Sequence, residues 1–162
     1  MKVEAVKIEN PDEKYQVIVG QANFSVYTVD DLFRALLTAA PGIKCGVAMN
    51  EAVPKLVRVT GNDEELKELA GKNALAIGAS HAYVIVFNGA FPINVMNTVK
   101  VHPAVCNIIV GSANPIEIIV AETELGRAIL GAVDGTAVNR IENEEEKKER
   151  RELCEKLGYR LD

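Results

Sequence analysis

Apolar residues recur along this chain with two different periods, and each period predicts a different kind of element. Apolar and polar positions alternate over 3–8, which indicates a strand with one covered face. The continuous apolar run at 82–87 indicates instead a strand that is covered on both faces. Apolar runs bounded by turn residues predict further strands at 15–19, 43–49, 56–60, 106–110, 116–121 and 127–133.

Four other segments carry the signals that start and end helices. Thr28 followed by Asp31 predicts an N-cap with an acidic first turn, and apolar residues then share one face until the Pro-Gly pair at 41–42. Asn62 predicts the cap of a second helix, because the residues after it are acidic. Pro92 suits the first turn of a short third helix. The second, third and fourth helices are expected at 63–72, 92–101 and 143–157.

The order of these elements predicts the fold class. Strands and helices alternate along the chain, which favours an α/β domain with a mixed sheet flanked by helices. The strand pairs within 43–60 and 106–133 are close enough in sequence to be antiparallel, so an α+β topology is the alternative. No linker or repeat divides residues 1–162, and we expect a single compact domain.

Composition and charge narrow the possible partners. The chain is 48% hydrophobic but has no Trp, so aliphatic side chains must build the core. This aliphatic excess fits either a buried subunit interface or a well-filled monomer, and we expect a closed symmetric homo-oligomer such as a trimer. The net charge is −5 and the basic residues of the C-terminal segment are interleaved with glutamates, so no nucleic-acid partner is expected.

The cysteines and the N-terminus bear on location. Cys45, Cys106 and Cys154 form no paired or zinc-binding pattern, so reduced thiols in a cytoplasmic protein are expected. The first nine residues lack the basic start and apolar run of a signal peptide. No apolar stretch reaches the roughly 18 to 20 residues of a membrane span, so no membrane partner is expected.

His81 is the first candidate for chemistry. It follows a Gly-Ala-Ser turn and precedes the apolar run at 82–87, so it should lie at the end of a buried strand. In α/β folds ligands gather where strands end beside helix starts. A neutral imidazole can act as a general base or nucleophile and can accept a phosphoryl group. A histidine bonded only to backbone groups at a sheet end is the alternative.

Asparagines and glutamates supply candidate ligand-binding groups. Asn94 and Asn97 are three residues apart near the helix start at Pro92, and an amide can both donate to and accept from a nucleobase or ribose. Capping and solvation are their alternative roles. Polar residues also follow apolar strands elsewhere. They can be ordinary turn residues, or they can line one pocket. These residues are Asn50, Glu51, Asn114 and Glu122.

Other features of the sequence restrict the chemistry. His102 ends the predicted third helix, where the dipole favours a cation, so a structural role is expected for it. The acidic residues at 63–65 begin a helix and are expected to interact with its dipole, so no metal site is predicted. The sequence has no G-x-x-x-x-G-K-[ST] loop, no G-x-G-x-x-G after a strand and no protein-kinase signature.

Six segments together carry a resemblance to a known family. The ordered combination of FPIN with ANP, VAET, GR, LG and DG is its most specific part. On these segments the chain resembles the adenosine-specific kinase family, small proteins found mainly in archaea and some bacteria. The segments are GIKCGVAMNEA (42–52), LVRVTGND (56–63), IGASHAYVI (77–85), AFPINVMNTVK (90–100), VCNIIVGSANPIEIIVAETELGRAILGAVDG (105–135) and GYR (158–160).

This resemblance implies an α/β fold, binding of adenosine or AMP, and a histidine able to carry phosphate, which would be His81. A kinase needs a phosphoryl donor, usually ATP with magnesium. Transfer in two steps through His81 would remove the need for a P-loop. Two classes of function are therefore predicted: a phosphotransferase acting on adenosine, or a nucleoside or nucleotide sensor without turnover.

Overall fold

The computed structural model describes residues 1–160. Within them the chain forms eight strands and four α-helices, with a short 3₁₀ turn at Pro11–Glu13. The strands are β1 (Lys2–Lys7), β2 (Gln16–Ala22), β3 (Lys44–Asn50), β4 (Val57–Gly61), β5 (Ala82–Asn88), β6 (Val105–Ser112), β7 (Ile116–Glu122) and β8 (Arg127–Asp134). The helices are α1 (Val29–Ala39), α2 (Glu64–Ile77), α3 (Pro92–Val101) and α4 (Glu144–Lys156).

The strands form two sheets. One has five strands in the order β4-β3-β5-β2-β6, and the other has three in the order β1-β7-β8. Strands and helices are thus combined in one compact domain, which confirms the predicted class. Every strand pair is antiparallel, so the topology is that of the α+β alternative.

The five-stranded sheet is covered on both faces, as the apolar run at 82–87 predicts. Val84 and Val86 of β5 face a core built with α2 and the three-stranded sheet. Tyr83, Ile85 and Phe87 face a second core built with α1 and α3. All five side chains are completely buried. Burying each large apolar side chain contributes about 1.5–3 kcal/mol, so this central strand anchors both layers.

The helix signals are partly confirmed. Thr28 and Asp31 form the expected capping box at the start of α1. The second helix is different: Asp63 caps it in place of Asn62, and it runs past 72 to Ile77, where Gly78 ends it with a φ of 65°. The side chain of Asn62 instead bonds the backbone of β3 and the residues before it.

The C-terminal helix forms where it was expected but stands apart from the core. The Asn143 side chain accepts a hydrogen bond from the backbone N–H of Glu146, which closes a capping box. None of the residues of α4 is buried. Within residues 1–160, none of the helices combines the length and the hydrophobicity needed to span a bilayer.

Candidate functional site

His81 lies at one end of the five-stranded sheet, just before β5 and between the ends of β3 and β2, the two strands that flank β5. Its N–H donates to the carbonyl of Asn50 at the end of β3, at 2.8 Å. Its carbonyl accepts from the N–H of Ala22 at the end of β2, also at 2.8 Å. The backbone of His81 has a φ of 62°, in the left-handed region that few non-glycine residues adopt. The residue is half-buried and its backbone is held from both sides.

Asn50 ties β3 to the end of α2. Its Nδ2 donates to the carbonyls of Ala74 at 2.7 Å and Ala79 at 2.9 Å. Its side-chain oxygen, Oδ1, is buried and has no partner among the residues described. Buried polar groups are almost always hydrogen-bonded, so this acceptor is an exception.

Arg127 begins β8 and reaches the same region from the other sheet. Its Nη2 forms an ion pair with the carboxylate of Glu4, and its Nη1 donates weakly to the carbonyl of Ala76 at 3.4 Å. Its Nε is buried and, within residues 1–160, donates to no acceptor. The two buried side-chain atoms without a partner in this part of the chain are therefore an acceptor on Asn50 and a donor on Arg127.

Both of these residues border one cavity of about 710 Å³, which we call the Arg127 cavity. This volume lies in the range of small-molecule sites. Apolar side chains, including Leu56, Leu75 and Leu125, form much of its wall. The predicted residues Asn50 and Glu51 line it together with Ser80, whereas His81, the next residue, is not among the residues that line it. The cavity thus combines an apolar wall with two residues, Asn50 and Arg127, that each have a buried polar atom without a hydrogen-bond partner.

Glu51 lines both the Arg127 cavity and a second cavity of about 400 Å³. The second one, the Tyr27 cavity, is lined by Tyr27, Thr28 and Met49 on the α1 side of the sheet. The carboxylate of Glu51 is 3.0 Å from the guanidinium of Arg58, and its side chain is 26% exposed.

His102 has the structural role expected of it, but not as a cation. It is 8% exposed, and its Nδ1 accepts the N–H of Ala104 at 3.2 Å. Its ring packs in T-shaped arrangements against the rings of Phe24 and Tyr27, with centroid distances of 6.1 and 5.5 Å. Burial lowers the pKa of His102, and the nearby carboxylate of Asp31 opposes this only in part.

Asn94 and Asn97 do not meet His81 within the chain. Asn94 lies at the start of α3, where its side-chain oxygen accepts the N–H of Phe91 at 2.9 Å, so it caps the helix. Asn97 is exposed further along α3. The start of α3 follows the end of β5, whereas His81 precedes the beginning of that strand. The seven residues of β5 separate the two by about 20 Å.

Asn114 also lies away from His81. Its side chain donates to Asp134 at 3.1 Å, and it borders another cavity, of about 430 Å³, at the opposite end of the five-stranded sheet. Glu122 ends β7, is exposed and pairs in register with Arg127. The next residue, Thr123, lines the Arg127 cavity, so Glu122 lies beside its rim.

The structure adds Arg127 to the candidate site, a residue that the strand pattern does not single out. It reaches the cavity only because β8 pairs with β7 in the second sheet, far along the chain from Asn50. A single basic residue at the head of the otherwise apolar strand RAILGAV is the signal that could have found it. Among residues 1–160 no three His, Cys, Asp or Glu side chains come together in a way that could hold a metal ion.

Comparisons with known proteins give a matching family model and solved structures of high similarity. The family model described as adenosine specific kinase matches residues 6–160. The crystal structure of the PH1918 protein from Pyrococcus horikoshii OT3 is similar to this chain at 62% sequence identity, with a TM-score of 0.95. That similarity covers 99% of each chain. No curated protein matches the chain.

The family match spans nearly all of the chain and includes Asn50, His81 and Arg127. It supports an adenosine-related function and assignment to the transferases that are adenosine-specific kinases. The expected resemblance is therefore confirmed, and the chain belongs to the adenosine specific kinase family.

Proposed function

We propose that this protein binds adenosine or AMP in the Arg127 cavity and transfers a phosphoryl group through His81. The observation that carries the proposal is that Asn50 and Arg127, each with a buried side-chain atom that lacks a hydrogen-bond partner, line the same cavity. Family membership supports adenosine as the nucleoside. ATP with magnesium is the proposed donor, and it would enter as a substrate.

The polarity of the two atoms favours an adenine ring. Both N–H groups of the Asn50 amide already donate to backbone carbonyls, those of Ala74 in α2 and Ala79 just after it, so only its oxygen is left to interact with a ligand. The exocyclic amino group of adenine donates at the position where guanine carries a carbonyl oxygen, which would face Asn50 Oδ1 unfavourably. Arg127 Nε then donates to an acceptor of the base or ribose.

Arg127→Lys tests the binding half of this proposal. Lysine keeps a positive charge near Glu4 but removes the Nε donor, so we expect adenosine affinity to fall by about 1–3 kcal/mol. Isothermal calorimetry with adenosine, AMP, guanosine and uridine measures it, and adenosine and AMP should bind best. Asn114→Ala, which changes a polar residue at the other end of the sheet, is the matched control. Equal affinity of all four ligands would contradict the proposal.

His81→Ala tests the chemical half. The two backbone bonds of His81 do not depend on its side chain, so the variant should fold. We expect it to bind adenosine but to incorporate no phosphate from labelled ATP with magnesium, and His81→Asn should behave in the same way. Full activity of His81→Ala would favour the second candidate function, a nucleoside sensor without turnover, which the same cavity supports equally.

We further propose that the protein is a cytoplasmic homo-oligomer, such as a trimer. The free thiols of Cys45, Cys106 and Cys154 support the location. Exposed apolar side chains on the three-stranded sheet, Leu130 and Val133, support association.

A further inference from the structure

We propose that Glu51 is the general base of phosphoryl transfer to the nucleoside, accepting the proton of the attacking ribose hydroxyl. This role rests on the proposed function, in which adenosine occupies the Arg127 cavity and His81 carries the phosphoryl group. It goes further in naming the residue that activates the nucleophile.

Glu51 is placed where such a base is needed. Among the residues lining the Arg127 cavity it is the one that carries a carboxylate. It directly follows Asn50, whose carbonyl accepts the backbone N–H of His81 at 2.8 Å. The proposed base and the proposed phosphate carrier therefore belong to the ends of two adjacent strands, β3 and β5. Proton transfer requires hydrogen-bond contact with the reacting hydroxyl, and Glu51 borders the space that the ligand is proposed to fill.

The side chain is held in place, yet one of its oxygens is free. The backbone N–H of Glu51 donates to the carbonyl of Leu56 at 2.8 Å, which closes the loop between β3 and β4. The oxygen Oε2 lies 3.0 Å from Arg58 Nη2. Within residues 1–160 the other oxygen, Oε1, accepts no hydrogen bond, so it can accept one from a ligand. A partly exposed ion pair contributes little to stability, so its main effect here is to orient the carboxylate.

The step balances with these groups alone. The ribose hydroxyl oxygen forms a bond to the phosphorus on His81 as the P–N bond breaks, and the electron pair of that bond returns to the imidazole nitrogen. The hydroxyl proton passes to Glu51. Because Glu51 also lines the Tyr27 cavity on the other side of the sheet, that cavity gives the proton a route to solvent.

Glu51→Gln separates this role from binding and from phosphate loading. Glutamine keeps the size of the side chain and an oxygen facing Arg58, but it cannot take up the proton. The full-length protein is labelled at His81 from radioactive ATP with magnesium, freed of ATP and mixed with adenosine in a single-turnover experiment. We expect labelling and the adenosine Kd to change less than about threefold, and transfer to slow by at least about 100-fold.

Three further variants make the outcome decisive. Glu51→Asp restores a carboxylate and should recover at least about tenfold of the lost rate. Arg58→Gln removes the ion-pair partner alone and should cost less than about tenfold. Glu68→Gln changes an exposed glutamate that pairs with Lys72 at 2.8 Å, and it should transfer at the wild-type rate.

Two sets of results would overturn the proposal in different ways. If the Glu51→Gln variant transferred the phosphoryl group at the wild-type rate, or if Arg58→Gln slowed transfer by as much as Glu51→Gln, Glu51 would only hold the loop. The proposed function would remain valid in that case. Wild-type protein that binds no adenosine or takes up no label at His81 would refute the proposed function and, with it, the role of Glu51.

Discussion

At the scale of the single residue, burial alters the protonation of His102. Its lowered pKa means that the folded protein resists taking up a proton that the unfolded chain accepts below about pH 6.5. Stability should therefore fall as pH drops from 7.5 to 5.5. Carboxylates whose pKa values are lowered in the fold lose their contribution to stability only at more acidic pH, so they do not account for a change between pH 7.5 and 5.5.

The variant His102→Gln should show a smaller loss of melting temperature between pH 7.5 and 5.5 than the wild type. Glutamine does not titrate, and the two proteins differ at no other position. Differential scanning calorimetry at the two pH values makes the comparison. Identical pH dependence in variant and wild type would show that protonation of His102 is not coupled to folding.

At the scale of the element, close contact between β3 and α2 positions the site, since Asn50 joins them. This contact requires glycine at position 46, because a Cβ there would lie 2.2 Å from the backbone oxygen of Leu66. Gly46→Ala should therefore destabilise the protein by at least about 1–3 kcal/mol. Gly131→Ala is the matched control: it lies in a strand, has open space around its Cβ position and should be neutral or slightly stabilising. Urea unfolding of both variants measures the difference, and equal stabilities would contradict the close contact.

At the scale of the whole molecule, the three-stranded sheet leaves apolar side chains uncovered. Leu130 is 60% exposed and Val133 is 43% exposed, while Ile129 and Ala132 of the same strand contact the core. Replacing Leu130 by Glu should dissociate the proposed oligomer, because a charge would be buried at the interface. Light scattering coupled to size exclusion gives the mass. Val26→Glu, at an apolar position that is 88% exposed, should leave the mass unchanged. A wild-type protein that is monomeric at low micromolar concentration would refute the association.

The elements of this fold are largely readable from the sequence because they depend on local interactions. Strand β5 alternates its side chains between two cores, and its continuous apolar run reflects that directly. The capping box at Thr28 needs only residues three positions apart. The extension of α2 from 72 to Ile77 was not predicted. Gly71, near the predicted end, is a poor helix residue in isolation. In the fold it lies against Val59, where a Cβ would come within 3.2 Å of that side chain.

The sequence by itself therefore determined the strands, the helices and the polar residues at strand ends, since periodicity and capping act over a few positions. Only the tertiary structure decided which of those ends meet. Strand order and direction bring Asn50, Glu51 and His81 to one end of the sheet, add Arg127 from the second sheet and leave Asn94 and Asn114 at the far end. These choices depend on burying apolar faces contributed by residues distant along the chain, and no local pattern encodes them.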